Sequence, residues 1–264
     1  KMTDFAHSYN IDTNNHHTYD SSHDDNLSHS YNIDRHHIHD LSYDDRYRAI
    51  ISEISYSAPS DTYDISSTDR VNDAIHNAQI NHPEYANQLS HLDVIDSNYD
   101  TVFLKDTTNN TCYLISRGTD LNPGQHTLVR DVYNDTMIIN GNSPHRVITT
   151  ENQLIHQMHD HPECTKWEAI GHSLGGRVVE DIGTRHHDVK VTSFEASRMM
   201  IDKDNVKNLF SGHKHDNITS HKVILDSIAV GISPGHTVNH IVHYDNLLDN
   251  LNPLKNHSIH NYTY

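Results

Sequence analysis

The stretch Gly171-His172-Ser173-Leu174-Gly175-Gly176 decides the fold of this chain. Its pattern G-x-S-x-G is typical of a nucleophile elbow, a tight turn from a strand into a helix that holds a serine hydroxyl clear of the sheet. Ser173 must then adopt a strained backbone conformation, and Gly171 and Gly175 provide the clearance that lets the helix pack against the strand. The residues immediately before the stretch are strand-like, and those after it carry apolar residues at helical spacing. The pattern therefore predicts a strand, a serine turn and a helix.

Strand-like and helical segments alternate over nearly 200 residues around this stretch. The predicted strands are 99–104, 111–116, 167–170, 189–194 and 222–225, and the predicted helices are 46–57, 69–89 with a bend near Pro83, 151–160 and 176–186. The polar turn 106–110 joins the first two strands as in a hairpin. This alternation predicts the α/β class, with a mostly parallel sheet flanked by helices.

Composition limits the classes of function. The formal net charge of −17 argues against nucleic acid as a partner, because phosphates require clustered lysine and arginine. No apolar run approaches the roughly 20 residues of a membrane span, so the chain is not expected to be transmembrane. The first 30 residues contain no apolar segment of the kind found in signal peptides. The two cysteines, Cys112 and Cys164, are expected to be small buried residues rather than a disulfide, and the compartment stays open.

The sequence divides into three regions. Residues 1–45 form an extended low-complexity arm rich in His, Asp, Asn, Ser and Tyr, which cannot bury enough apolar surface to order itself alone. Residues 46–68 are predicted to form an entry helix and a connector, and 69–264 the α/β domain. The arm contains the hexapeptide His-Ser-Tyr-Asn-Ile-Asp twice, at 7–12 and 29–34. The repeat is either a recent duplication or a docking peptide for a protein partner that gains avidity by being presented twice.

Four blocks follow one another along the chain: the strand 113–116 leading into Arg117-Gly118-Thr119-Asp120, the segment 131–135, the serine stretch, and the run 191–198. In this order they resemble class 3 lipases, a branch of the α/β hydrolases. Two blocks depart from the family pattern: Val132 stands in place of a tryptophan, and Glu195 and Ser197 replace a glycine and a proline. The resemblance implies an α/β-hydrolase fold and cleavage of carboxylic esters. Residues 120–130, in the place of the lid, are short and polar, so a soluble ester or a phospholipid is as plausible a substrate as a triacylglycerol.

Each step of ester cleavage through a serine requires a specific residue. Ser173 is the expected nucleophile, and the backbone N–H of Leu174 at the helix start is an expected oxyanion donor. The resemblance implies Thr119 as the second donor. The chain order Ser, acid, His of α/β hydrolases restricts the acid to residues after Ser173. Asp226 is favoured because it ends the apolar run 223–225, whereas Asp245 and Asp249 lie in a polar, irregular stretch.

The histidine is harder to choose because the C-terminal part of the chain is rich in it. His257 is the expected base because the run Asn256–Tyr262 is similar to the terminal His-Ser-Leu-x-x-Tyr pattern of the family. His260 is the close rival, and the other candidates are His236, His240 and His243.

The sequence thus predicts a serine hydrolase acting on esters of lipids (a lipase, phospholipase or esterase), a chemistry that requires no metal or organic cofactor. One alternative is a catalytically inactive hydrolase fold that serves as a structural or binding component attached through its arm. Another is a metal-binding protein using the histidine clusters His16-His17 and His36-His37 with His39-Asp40.

Overall fold

The computed structural model describes residues 33–37, 41–57, 67–118, 145–196, 214–223, 237–244 and 259–263. Their strands are β1 Ile33–His37, β2 Leu92–Ser97, β3 Thr101–Asp106, β4 Thr111–Ser116, β5 Lys166–His172, β6 Val189–Phe194, β7 Lys214–Val223 and β8 Thr237–Tyr244. Their α-helices are α1 Tyr43–Ile54, α2 Ser67–Asn81, α3 Ala86–Leu89, α4 His145–Asp160 and α5 Leu174–Gly183. Short 3₁₀ turns cover Ser55–Ser57, Pro83–Tyr85 and Ile259–Tyr262. No helix in these ranges is long and apolar enough to cross a membrane.

All of these strands join one sheet in the order β1-β8-β7-β6-β5-β4-β3-β2. The six strands β1, β8, β7, β6, β5 and β4 run parallel to one another. The pairs β4–β3 and β3–β2 at the other side of the sheet are antiparallel. The expectation of a mostly parallel sheet flanked by helices is therefore confirmed. The hairpin between β3 and β4 is also found, with the Asp106 carboxylate accepting a hydrogen bond from the Thr108 backbone N–H at 2.8 Å in its turn.

Alternating residues of the central strands are buried on opposite faces of the sheet. In β4, Tyr113 and Ile115 lie in the hydrophobic cluster shared with α1 and α2, while Cys112 and Leu114 lie in the cluster shared with α4 and α5. Side chains of successive strand residues point to opposite faces, so a strand buried on both faces reads as a continuous apolar run. This pattern gives three layers, with helices on each side of the sheet.

Helix α1 is fixed at both its start and its middle. Ser42 caps its N-terminus by accepting a hydrogen bond from the Asp45 backbone N–H at 3.1 Å. Arg48 forms an ion pair of 2.7 Å with Glu168 of β5, which ties the helix to the strand that precedes the serine. The helix begins at Tyr43, slightly before the predicted start at Arg46.

The sheet extends beyond the predicted strands at both edges. At one edge, β1 pairs in parallel with β8, and at the other, β2 pairs antiparallel with β3. Strand β1 lies within residues 1–45, where the low-complexity composition had given no signal for a strand. The division at residue 45 remains a prediction, since residues 1–32 lie outside the described ranges.

The expectation for the cysteines is wrong, because Cys112 and Cys164 form a disulfide with their Cα atoms 5.7 Å apart. Cys112 is the second residue of β4, and Cys164 lies two residues before β5, its parallel neighbour. The pairing was hidden in the sequence because the two cysteines are 52 residues apart, with α4 between them. The two cysteines come together because β4 and β5 pair side by side in the sheet.

We expect the variant Cys112→Ala/Cys164→Ala to lose about 2 to 4 kcal/mol in free energy of unfolding, because the bond restricts a long loop of the unfolded chain. Urea titration measures the loss. A reducing agent should destabilise the wild type to the same extent and leave the double variant unchanged. Equal urea midpoints for the oxidised wild type and the variant would contradict this prediction.

Candidate active site

The turn at Ser173 has the geometry of a nucleophile elbow. Strand β5 ends at His172, α5 begins at Leu174, and Ser173 between them has φ 55° and ψ −123°. A positive φ is uncommon for a residue other than glycine and carries a strain that the surrounding structure must stabilise. Here the Ser173 N–H donates to the Phe194 carbonyl of β6 at 3.0 Å, and its own carbonyl accepts from the Arg177 N–H at 3.2 Å. The strained serine is thus held by the neighbouring strand and by the helix that follows.

The two flanking glycines allow α5 to lie directly against the sheet. A Cβ atom on Gly175 would collide with the carbonyl oxygen of Ser116 and lie 2.7 Å from the carbonyl carbon of Arg117. A Cβ atom on Gly171 would collide with the Gly175 carbonyl. The first turn of α5 therefore packs against the end of β4 so closely that only glycine fits, as the sequence pattern predicts.

Gly118, two residues beyond the end of β4, lies beside the serine. A Cβ atom built on it would be 3.0 Å from the Ser173 Cβ and 2.7 Å from the His172 carbonyl oxygen. The neighbouring Arg117 is buried, and its carbonyl accepts a hydrogen bond from the guanidinium of Arg146 at the start of α4. The chain that leads into Thr119 thus leaves the sheet next to the elbow, although Thr119 itself lies outside the described residues.

Leu174 supplies the first backbone N–H of α5. The first four N–H groups of an α-helix have no acceptor within the helix, and they form the positive end of its dipole. Helix α5 is buried along its whole length, and Glu180 in its middle accepts a hydrogen bond from the Ser193 hydroxyl of β6 at 2.5 Å. These contacts fix the helix N-terminus relative to the sheet.

The other predicted site residues lie outside the described residues, namely Asp226 and His257, as do the predicted lid 120–130 and the rivals His236, Asp245 and Asp249. Of the remaining rivals, His240 and His243 are on β8, and His260 is in the 3₁₀ turn Ile259–Tyr262. The assignment of the acid and the base therefore stays a prediction.

Two residues near the elbow were not identified from the sequence as belonging to the site. The hydroxyl of Tyr56, just after α1, is 2.5 Å from Nδ1 of His172, and a Cβ atom on Gly118 would collide with it. Glu195 directly follows β6, is fully buried and has φ 45°. Nothing near Tyr56 in the sequence indicates this contact. Glu195 stands where the class 3 lipase pattern has a glycine, and that difference marked position 195 as unusual.

Asp45 of α1 lies close to His221, the residue whose backbone carbonyl accepts from the Glu195 N–H. Nε2 of the buried His221 on β7 is 3.8 Å from Asp45 Oδ2. Burial raises the pKa of Asp45, but the charge of His221, the Ser42 hydroxyl and Arg48 outweigh it and hold that pKa below its usual value.

In the described part of the chain, no three His, Cys, Asp or Glu side chains are grouped so that they could hold a metal ion.

A mostly parallel sheet, a serine elbow after a central strand and helices on both faces define an α/β-hydrolase fold. No family model matches the chain, and no curated protein matches its sequence.

Solved structures similar to the chain are fungal lipases. The native Rhizomucor miehei lipase propeptide complex is 12% identical with a TM-score of 0.36, and the match covers 69% of this chain and 62% of that one. Lipase II from Rhizopus niveus is 14% identical with a TM-score of 0.34, covering 69% and 73%. The Lip2 lipase from Yarrowia lipolytica is 16% identical with a TM-score of 0.36, covering 55% and 66%. The chain thus spans less than two thirds of the Rhizomucor protein, and because all three TM-scores are below 0.5 the fold assignment rests on the sheet and the elbow.

Proposed function

We propose that this protein is a serine hydrolase that cleaves carboxylic esters of lipids through an acyl-enzyme. The observation that carries the proposal is the conformation of Ser173, held at φ 55° between β5 and α5 with Gly118 beside it. A strained serine is costly to maintain, and an elbow is the arrangement that presents a serine hydroxyl to a substrate at the end of a sheet.

In the proposed reaction, the Ser173 hydroxyl attacks the ester carbonyl while His257 accepts its proton. Asp226 orients the imidazole and stabilises its charged form. The N–H groups of Leu174 and Thr119 donate to the oxyanion, each contributing about 3 to 4 kcal/mol of transition-state stabilisation. His257 then returns the proton to the leaving alcohol and activates the water that releases the acid. Support comes from the position of Leu174 as the first residue of α5 and from the proximity of Gly118, the residue before Thr119, to Ser173.

The direct test is labelling with a fluorophosphonate, which reacts with activated serines, followed by a panel of chromogenic esters from short to long acyl chains. We expect one phosphonate per chain, attached to the peptide that contains Ser173, and turnover of at least one ester. Folded protein that takes up no phosphonate and hydrolyses no ester would overturn the proposal. The profile across the panel would indicate whether a soluble ester or a lipid is the better substrate.

The choice between two histidines gives a matched test of the base. We expect His257→Ala to lower kcat by about 10⁴-fold, because removal of a triad member leaves only oxyanion stabilisation and binding. His260→Ala changes the same residue type three positions away and should keep near wild-type turnover. Measured kcat values with one soluble ester decide between them. The reverse order of effects would make His260 the base.

The alternative function is a catalytically inactive hydrolase fold that binds a protein partner through the arm. It is favoured by one observation, the identical hexapeptide at 7–12 and 29–34, because two copies of a weak binding peptide gain avidity. The labelling experiment separates the two functions, since this alternative requires a folded protein with an unreactive Ser173.

A further inference from the structure

Glu195 is a buried carboxylate in an unusual backbone conformation next to the elbow. It is fully buried and has φ 45°, although glutamate is almost never fully buried without a partner. Its N–H donates to the His221 carbonyl of β7 at 2.9 Å, and the preceding Phe194 carbonyl accepts from the Ser173 N–H at 3.0 Å. Backbone hydrogen bonds therefore hold residues 194 and 195 between β7 and the serine turn.

The partner of this carboxylate is a tyrosine 67 residues later in the chain. The Tyr262 hydroxyl donates a hydrogen bond to Glu195 Oε1. The tyrosine ring, only 1% exposed, lies 5.0 Å from the Phe194 ring and 6.4 Å from the His221 ring between their centroids. Strand β6, strand β7 and the C-terminal segment thus meet at one buried point beside the elbow.

Apolar packing and this hydrogen bond both hold the segment 259–263 in place. It consists of the four-residue 3₁₀ turn Ile259–Tyr262 and one further residue. Ile259 and Tyr262 belong to the cluster that includes residues of α1. Apolar packing can slide, whereas a hydrogen bond between buried groups has a fixed length and direction. The bond from Tyr262 to Glu195 therefore sets the position of the segment next to β6 and β7.

His257 lies two residues before Ile259, a backbone span of at most about 7 Å. We propose that Glu195 and Tyr262 are positioning residues, whose hydrogen bond fixes the C-terminal segment and through it places His257 relative to Ser173. This inference rests on the proposed function for its effect on catalysis. The hydrogen bond itself rests only on the described residues.

Two replacements at Glu195 make a matched pair for the test. Glu195→Gln keeps the length and an oxygen acceptor, whereas Glu195→Met has a similar length and offers no comparable acceptor. Both carry the same backbone cost at φ 45°, because neither is glycine. Tyr262→Phe removes the donor with the ring in place, and Tyr85→Phe is its control, since the Tyr85 hydroxyl is bound to the Tyr43 carbonyl in a different part of the structure.

We expect Tyr262→Phe and Glu195→Met each to lower kcat for a soluble ester roughly tenfold, the effect of losing about 1.4 kcal/mol of positioning, with KM unchanged. Glu195→Gln and Tyr85→Phe should stay near wild type. The double variant Glu195→Met/Tyr262→Phe should lose no more than either single variant, because both remove the same bond. Amide hydrogen exchange of residues 257–264 should accelerate in the variants that lose the bond and in no other.

Wild-type kcat in Tyr262→Phe and Glu195→Met, or additive losses in the double variant, would overturn the positioning role. A loss of turnover without faster exchange at 257–264 would also overturn it, because the segment would then not have moved. Failure of the proposed function would be recognised separately, by a wild-type protein that neither binds fluorophosphonate nor hydrolyses esters. In that case the exchange measurement still decides whether the bond fixes the segment.

Discussion

Ser173→Ala is expected to abolish ester hydrolysis, with a loss of about 10⁴ to 10⁶-fold in kcat, because it removes the oxygen that attacks the substrate in the proposed reaction. The fold should survive, since alanine is smaller than serine and carries the same cost at φ 55°. The measurements are kcat with a soluble ester, phosphonate labelling, and the urea midpoint as a check on folding.

Ser193→Ala is the matched control, a second buried serine near the end of the neighbouring strand. Its hydroxyl donates to Glu180 at 2.5 Å, so its loss should lower stability by about 1 to 3 kcal/mol. Phosphonate should still label Ser173 in this variant. Near-normal turnover by folded Ser173→Ala would contradict the proposed nucleophile, and so would phosphonate attached to another residue.

The elbow and the central sheet were predictable because their signals are local. The pattern around Ser173 is contiguous, and β3 to β6 are apolar runs bounded by polar turns, so each could be recognised within a short window of sequence. The edge strand β1 and its neighbour β8 were missed because His, Asp and Asn interrupt their sequences. Their strand structure comes from pairing with a neighbour, which a local pattern does not reveal.

Contacts between residues distant in sequence account for the other differences. The disulfide of Cys112 with Cys164 and the hydrogen bond of Tyr262 with Glu195 join residues 52 and 67 positions apart. The sequence showed that Glu195 stands where the class 3 lipase pattern has a glycine, but it gave no partner for Glu195. In the fold, Tyr262 lies next to the end of β6 and donates a hydrogen bond to the Glu195 carboxylate.

Gly175→Ala should be the most damaging single-methyl substitution in the elbow. The added Cβ would lie 2.6 Å from the Ser116 carbonyl carbon and closer still to its oxygen, so α5 must shift away from β4. We expect a loss of about 2 to 3 kcal/mol in free energy of unfolding from overpacking, even though alanine favours the helix by about 1 kcal/mol over glycine. The shift also separates the Leu174 N–H from the chain at Gly118, and a misplacement of about 1 Å can lower kcat by 10²-fold.

Gly176→Ala tests whether this effect is specific to the contact with β4. It adds the same methyl group to the same helix one residue later, where the nearest atoms, Cα and Cβ of Ala196, are 3.1 Å away. A gap of that size requires a movement of only a few tenths of an ångström, so stability and kcat should change far less than in Gly175→Ala. Urea titration and ester kinetics on both variants measure the contrast. Equal losses would mean that the elbow tolerates no extra volume anywhere, and wild-type behaviour of Gly175→Ala would contradict the close packing of α5 on the end of β4.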